Sequence, residues 1–184
     1  MTEQTMRCFI GVPVDHHVAL ALLELRDQAL SAFGQPQIRP VPARNFHLTL
    51  AFLGNLASAQ RVALATPLAQ LARSQPSFLQ PLDMAQVFPS PQGRLWAAEG
   101  LQVPVPMRQL HGALTGLLGR LGLPVGGQAL RPHVTLLRGL HTCLRPPKYP
   151  LTLAVPVSSL VLYESRPVAG GSEYRVLESA ALAG

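Results

Sequence analysis

The chain has 184 residues, of which 48% are hydrophobic and 13% charged, with a formal net charge of +6. That length and balance suit one globular domain, or one domain of two lobes, and no run of about 18 uninterrupted apolar residues exists to span a bilayer. The sequence pI of about 10.4 favours an anionic partner without naming it.

The N-terminus, Met-Thr-Glu-Gln-Thr-Met-Arg, lacks the basic start, apolar middle and small-residue cleavage site of a secretory signal, so a cytoplasmic protein is expected. Residues Met6 to Val14 read as a buried strand. Asp15 then suits the N-cap of a helix whose Val18, Leu22, Leu25 and Ala29 share one face and which Gly34 stops. His16 and His17 fall in its first turn, where a solvated role is expected.

Arg39-Pro40-Val41-Pro42 reads as an extended linker. From Asn45 to Leu53, Phe46, Leu48, Leu50 and Phe52 alternate with Asn45, His47, Thr49 and Ala51, the pattern of a strand with one buried face. Gly54-Asn55 is expected to turn the chain, and Ser58 to cap a helix through about Ser74 that Pro67 kinks or shortens. Strands at Ser77 to Phe88 and Arg94 to Glu99 follow, joined by the turn-rich Pro89-Ser90-Pro91-Gln92-Gly93.

Leu110, Leu114, Leu117 and Leu121 repeat at helical spacing between Pro106 and Gly122, with His111 a structural or surface residue of that helix. A strand from about Pro132 to Gly139 leads to the basic loop Leu144-Arg145-Pro146-Pro147-Lys148. Strands near Leu151 to Val155, Ser159 to Ser165 and Glu173 to Glu178 close the chain. This mixed order, with hairpins, indicates an α+β fold rather than a doubly wound parallel sheet.

Within this framework one tetrapeptide pattern occurs twice, 86 positions apart: His47-Leu48-Thr49-Leu50 and His133-Val134-Thr135-Leu136. By composition, His-apolar-Thr-apolar should arise only about 0.06 times in such a chain. In a strand, a His and a Thr two residues apart project to the same side. Each copy therefore offers one imidazole and one hydroxyl, and the pair suggests one site built from two similar half-chains.

The surroundings of both copies are positive or neutral in sequence, because no Asp or Glu lies between Asp27 and Asp83 or between Glu99 and Glu164. Of the 15 basic residues only Lys148 is a lysine, and arginine can grip a phosphate through two hydrogen bonds. Two imidazoles with ordinary pKa values near 6.5 can act as base and acid together, while paired hydroxyls suit a tetrahedral centre such as phosphorus. Arg138, with Arg131 or Arg44, would offset developing negative charge.

Other chemistries lack parts. There is no Gly-x-Ser-x-Gly elbow, no His-Glu-x-x-His and no nucleotide loop; Gly126-Gly127 reads as a flexible turn. Cys8 and Cys143 sit in apolar stretches and are expected as buried thiols rather than a disulfide or metal site. No cofactor or metal is expected.

These motifs and their flanks resemble the two-histidine phosphoesterase superfamily, and within it the bacterial RNA 2′,3′-cyclic phosphodiesterase (2′-5′ RNA ligase) family. The resemblance rests on Arg39-Pro40-Val41 through His47-Leu48-Thr49-Leu50-Ala51-Phe52-Leu53-Gly54, on Arg131-Pro132-His133-Val134-Thr135-Leu136-Leu137-Arg138, and on Leu162-Tyr163-Glu164-Ser165. It implies a single bilobal α+β domain over 1–184, with pseudo-twofold symmetry, two antiparallel sheets facing a central groove, and helices outside.

The resemblance also implies a monomer that hydrolyses RNA 2′,3′-cyclic phosphate ends to 2′-phosphates without a metal, with reverse 2′-5′ ligation. His47 would protonate the departing 3′ oxygen, His133 would activate water, and Thr49 and Thr135 would hold phosphoryl oxygens. Arg138 would bind phosphate only if its strand bulges near Leu137, since regular pleating aims it away from His133. Tyr163 is a candidate to stack on a base or ribose, with packing as the alternative, and Phe46 is expected in the core. Two other readings stay open: a nucleic-acid-binding module with a degenerate site, and a cyclic phosphodiesterase of small nucleotides.

Overall fold

A computed structural model of the chain describes residues 5–34, 36–90, 93–125, 129–141 and 145–184. Cys143, Leu144 and the turns at Pro91-Gln92 and Gly126-Gly127, all singled out above, lie outside the described residues. Nine strands form two antiparallel sheets among those residues. One sheet has the order β3-β1-β8-β9, from β1 (Thr5–Pro13), β3 (His47–Ala57), β8 (Ser159–Val168) and β9 (Gly171–Ala181). The other runs β2-β6-β5-β4-β7, from β2 (Arg39–Pro40), β4 (Phe78–Ser90), β5 (Gly93–Glu99), β6 (His133–Leu140) and β7 (Tyr149–Val157).

Helices cover the outer faces, as the resemblance implied. In α1 (His16–Phe33), the Asp15 carboxylate accepts from the N–H groups of His17 and Val18, and Gly34 ends the helix at φ 58. The helix buries Val18, Leu22 and Ala29 and packs on β6 and β7. Helices α2 (Ser58–Arg73) and α3 (Val105–Arg120) bury Leu64, Leu68 and Leu71, and Met107, Leu110, Leu114 and Leu117. One continuous apolar cluster joins residues of both sheets, such as Ile10 and Leu48 with Trp96 and Val134, to these helix faces.

Several local expectations change. Gly54 does not turn the chain: β3 runs on to Ala57, with Gly54 at φ 67 accommodating a bulge. The cap of α2 is Ala57, whose N–H donates to Gln60 Oε1, and Ser58 is its first residue. The helix continues through Pro67 to Arg73 because its buried leucines on either side hold it to the core. Arg39 and Pro40 are not a linker but the edge strand β2, and Asn45 belongs to the short 3-10 turn Ala43–Asn45 that precedes β3.

The motif strands carry matching irregularities. Gly11 pairs with Thr49 but Ile10 with Ala51, so Leu50 is an extra residue; Ala97 pairs with Thr135 but Trp96 with Leu137, so Leu136 is extra too. Second shifts leave Leu53 and Gly139 extra, each six residues after its histidine. An inserted residue reverses the facing of everything beyond it. Phe52 is thereby moved from the expected core face to the cleft face, where it is 61% exposed, while Leu53 takes the core position.

Gly11 stands opposite Thr49 because a Cβ there would meet the Leu48 carbonyl oxygen at 2.6 Å and His47 Cδ2 at 3.4 Å. Gly11→Ala should therefore destabilise the fold by about 1–3 kcal/mol, the usual range for overpacking. Gly112→Ala, in α3 with nothing within 4 Å of its added Cβ, should instead stabilise by about 1 kcal/mol. Urea unfolding midpoints of the two variants check both signs.

Candidate active site

The inner faces of the two sheets enclose a cleft of about 810 Å³, lined by His47 and Thr49 from one sheet and His133 and Thr135 from the other. Each histidine is anchored in the same way. His47 Nδ1 lies 2.7 Å from the Asn45 carbonyl oxygen, and His133 Nδ1 lies 2.8 Å from that of Arg131, in both cases two residues earlier. A carbonyl only accepts, so each Nδ1 carries a proton and, in the neutral ring, each Nε2 keeps its lone pair. Thr49 Oγ1, 3.0 Å away, donates to Nε2 of His47.

Both rings rest on aromatic supports. His47 lies against Phe9 at 4.8 Å and meets the edge of Tyr174 at 5.1 Å and 90°. His133 stacks on Phe88 at 3.9 Å and 24°. Phe9, Val161 and Tyr163 form a small apolar floor in one sheet, and Phe88, Leu95 and Ala97 form its counterpart in the other. Asn45 adds a tie across the rim, since its Nδ2 donates to the Ser172 carbonyl of the β8–β9 hairpin at 2.7 Å.

The expectation of two imidazoles with ordinary pKa values is corrected. Burial lowers His47 to about 4, with further lowering from Arg138 and His133 against the opposing effect of the Asn45 carbonyl. His133 is also lowered by burial, with the Arg131 carbonyl and Glu99 opposing the shift and the Arg131 and Arg138 charges adding to it. Both rings are thus neutral at pH 7. The acid-free neighbourhood expected from sequence does not hold in space either: Glu99 is the cross-strand partner of His133, buried, and bonded to Arg131 and to Gln86 Nε2.

The structure brings His47, Thr49, His133, Thr135 and Arg138 to one cleft. Arg138 reaches it because the extra residue Leu136 reverses its facing, the condition the sequence had set. Arg131 is occupied, with Nε and Nη2 at 2.9 and 2.5 Å from Glu99 Oε1 and its guanidinium 4.2 Å over the Phe88 ring, whereas Arg44 is exposed on the cleft wall. Tyr163 does not line the cleft: it is 8% exposed, stacked on Phe9 at 4.9 Å, and burial raises its hydroxyl to about 12. Phe46 and Cys8 are buried, and His16 and His17 are exposed.

Sequence reasoning missed Phe88, Glu99, Phe52, Tyr174 and Arg39. The first two face His133 only through the β4–β5–β6 register, which no local pattern encodes. For Phe52 a signal existed, since the adjacent apolar pair Phe52-Leu53 breaks strict alternation. Among the described residues no three His, Cys, Asp or Glu side chains gather as a metal-ligand set, and no helix is long and apolar enough to cross a membrane.

A family model described as LigT-like phosphoesterase matches residues 12–96. An RNA 2′,3′-cyclic phosphodiesterase of Escherichia coli (strain K12) is 30% identical over 163 residues, spanning 86% of this chain and 90% of that protein. A protein of the same description from Thermus thermophilus is 30% identical over 186 residues, spanning 97% and 91%. Among solved structures, a phosphoesterase superposes with a TM-score of 0.82 at 28% identity, covering 98% of this chain and all of that one. The E. coli LigT complex with 3′-AMP gives 0.81 at 28% identity over the same shares.

Because His47 is half-buried and neutral, the unfolded chain binds its proton at a higher pH than the folded one. Its folded pKa near 4 lies below the unfolded value of 6.5, so stability is fully present above pH 6.5 and is lost as pH falls towards 4. The loss from this group is roughly 3 kcal/mol by that linkage. Unfolding free energies measured from pH 7 to 4 should fall more steeply for the parent than for His47→Gln; parallel curves would contradict the burial account.

Proposed function

The chain belongs to the LigT-like phosphoesterase family, and from that membership and the cleft we propose an enzyme that hydrolyses RNA 2′,3′-cyclic phosphate ends to 2′-phosphates. The observation that carries this reading is the convergence of two identically anchored imidazoles, each with its threonine, on one cleft. Water attacks phosphorus as its proton passes to Nε2 of one histidine, and the P–O3′ bond breaks as the other histidine gives a proton to O3′. The product carries a 2′-phosphate and a 3′-hydroxyl. Thr49 and Thr135 hold the non-bridging oxygens, and Arg138 offsets the charge that grows on them.

His47 is assigned to the acid and His133 to the base. The environment supports that division: burial makes a protonated His47 a ready donor, while Glu99 stabilises the imidazolium that forms on His133. An anionic substrate supplies the charge that brings the proton onto His47. Tyr163 acts as a positioning residue, holding Phe9 beneath the His47 ring.

The same reading takes the protein as a cytoplasmic monomer acting on RNA ends as one bilobal unit. The apolar cluster shared by both sheets supports the single unit, and the buried free thiol of Cys8 suits a reducing compartment. Ligation of a 2′,3′-cyclic phosphate to a 5′-hydroxyl is the same step with a ribose hydroxyl in place of water.

Hydrolysis should persist in EDTA and give a 2′-phosphate on product analysis. His47→Ala and His133→Ala should each lower kcat at least about 100-fold. A 3′-phosphate product would contradict the assigned leaving group, and binding without turnover, unaffected by either substitution, would favour a non-catalytic nucleic-acid module.

A further inference from the structure

The register of β2 on β6 places Arg39 directly opposite Arg138, and both line the cleft. Directly opposed strand residues share a face, with Cβ atoms about 5 Å apart, and like charges there are unfavourable. Among the described residues neither arginine has a carboxylate partner: the ion pairs are Arg26–Asp27, Arg131–Glu99 and Arg166–Glu164. The edge strand that holds Arg39 is only two residues long and ends at Pro40, with Val41 N–H donating to the Leu136 carbonyl at 2.9 Å just beyond.

The two sheets differ in what they present at this level. One cross-strand row runs Arg39–Arg138–Leu95–Phe88, and the corresponding row of the other sheet is Phe52–Phe9–Tyr163–Val176. Phe52 and Arg138 hold equivalent places, five residues after each histidine. Positive charge is thus doubled in the row on the His133 side and absent from the facing row, although Arg7 lines the cleft from that sheet two residues before Phe9. One phosphodiester carries one negative charge, which Arg138 alone can meet; a second unpaired guanidinium on the same wall calls for a second anion.

Resting on the function proposed above, we propose that Arg39 forms a second phosphate subsite, taking the phosphodiester on the 5′ side of the terminal nucleoside. A cyclic phosphate ends an RNA strand, so the neighbouring phosphate can come only from that side. The subsite makes the enzyme select a polynucleotide end over a free cyclic nucleotide. Arg44, exposed in the turn before β3, also lines the cleft.

The test compares kcat/KM on three substrates: adenosine 2′,3′-cyclic phosphate, its 5′-phosphorylated form, and the dinucleotide ApA ending in a 2′,3′-cyclic phosphate. The parent should favour the latter two, and Arg39→Gln should lower their advantage about tenfold, the scale of a charge-assisted hydrogen bond. In the parent, log kcat/KM should also fall with log salt more steeply for the dinucleotide, by about 0.7, and Arg39→Gln should remove that difference. Arg39→Gln should unfold no earlier than the parent, since it relieves a like-charged pair. Equal parent rates on all three, or an Arg39→Gln loss as large on the mononucleotide, would overturn the subsite while leaving the hydrolase reading intact. Failure of the parent on every substrate would sink both.

Discussion

A hydrogen bond from Nδ1 to the carbonyl two residues earlier fixes each imidazole, and the site depends on that bond being made twice. It selects the tautomer, sets the ring's rotation and leaves Nε2 unprotonated. The carbonyl that receives the bond must therefore lie just before the strand. Asn45 supplies it from the last position of a 3-10 turn, and Arg131 from the segment leading into β6. Aromatic floors beneath the rings, Phe9 and Phe88, hold the planes that the hydrogen bonds orient.

Anchoring alone would give two equivalent bases. The division of labour comes from what each half-site adds. Glu99, held by Arg131 and Gln86, places a buried negative charge beside His133, whereas His47 sits between Phe9 and Tyr174; the positive charge of Arg138 acts on both rings. Burying an ionised carboxylate is costly unless it is paired and hydrogen-bonded, and Glu99 is both. The half-sites share a backbone plan and differ in charge, an arrangement suited to moving a proton in on one side of a phosphate and out on the other.

Much of this was legible in the chain. The twin motifs, the α+β order, the Asp15 and Gly34 ends of α1 and the buried faces of the helices follow from local chemistry, and the structure has them. The bulges at Leu50 and Leu136 were only half legible. Adjacent apolar pairs, Phe52-Leu53 and Leu136-Leu137, break the period of two, but the position of the extra residue depends on partner strands far away in sequence. Glu99, Phe88 and Arg39 were hidden for the same reason: each meets the site through sheet register, and acid-free stretches of sequence say nothing about what lies across a sheet.

The central claim is that His47 and His133 act on one phosphodiester in one chemical step. A double-mutant cycle on kcat, using His47→Ala, His133→Ala and the double variant against an RNA 2′,3′-cyclic phosphate end, tests it most directly. Groups that work as a unit are strongly non-additive, so the double variant should be little slower than the slower single variant. Losses that multiply, with the double variant slower by the product of the two single effects, would show that the histidines act independently and would contradict the account.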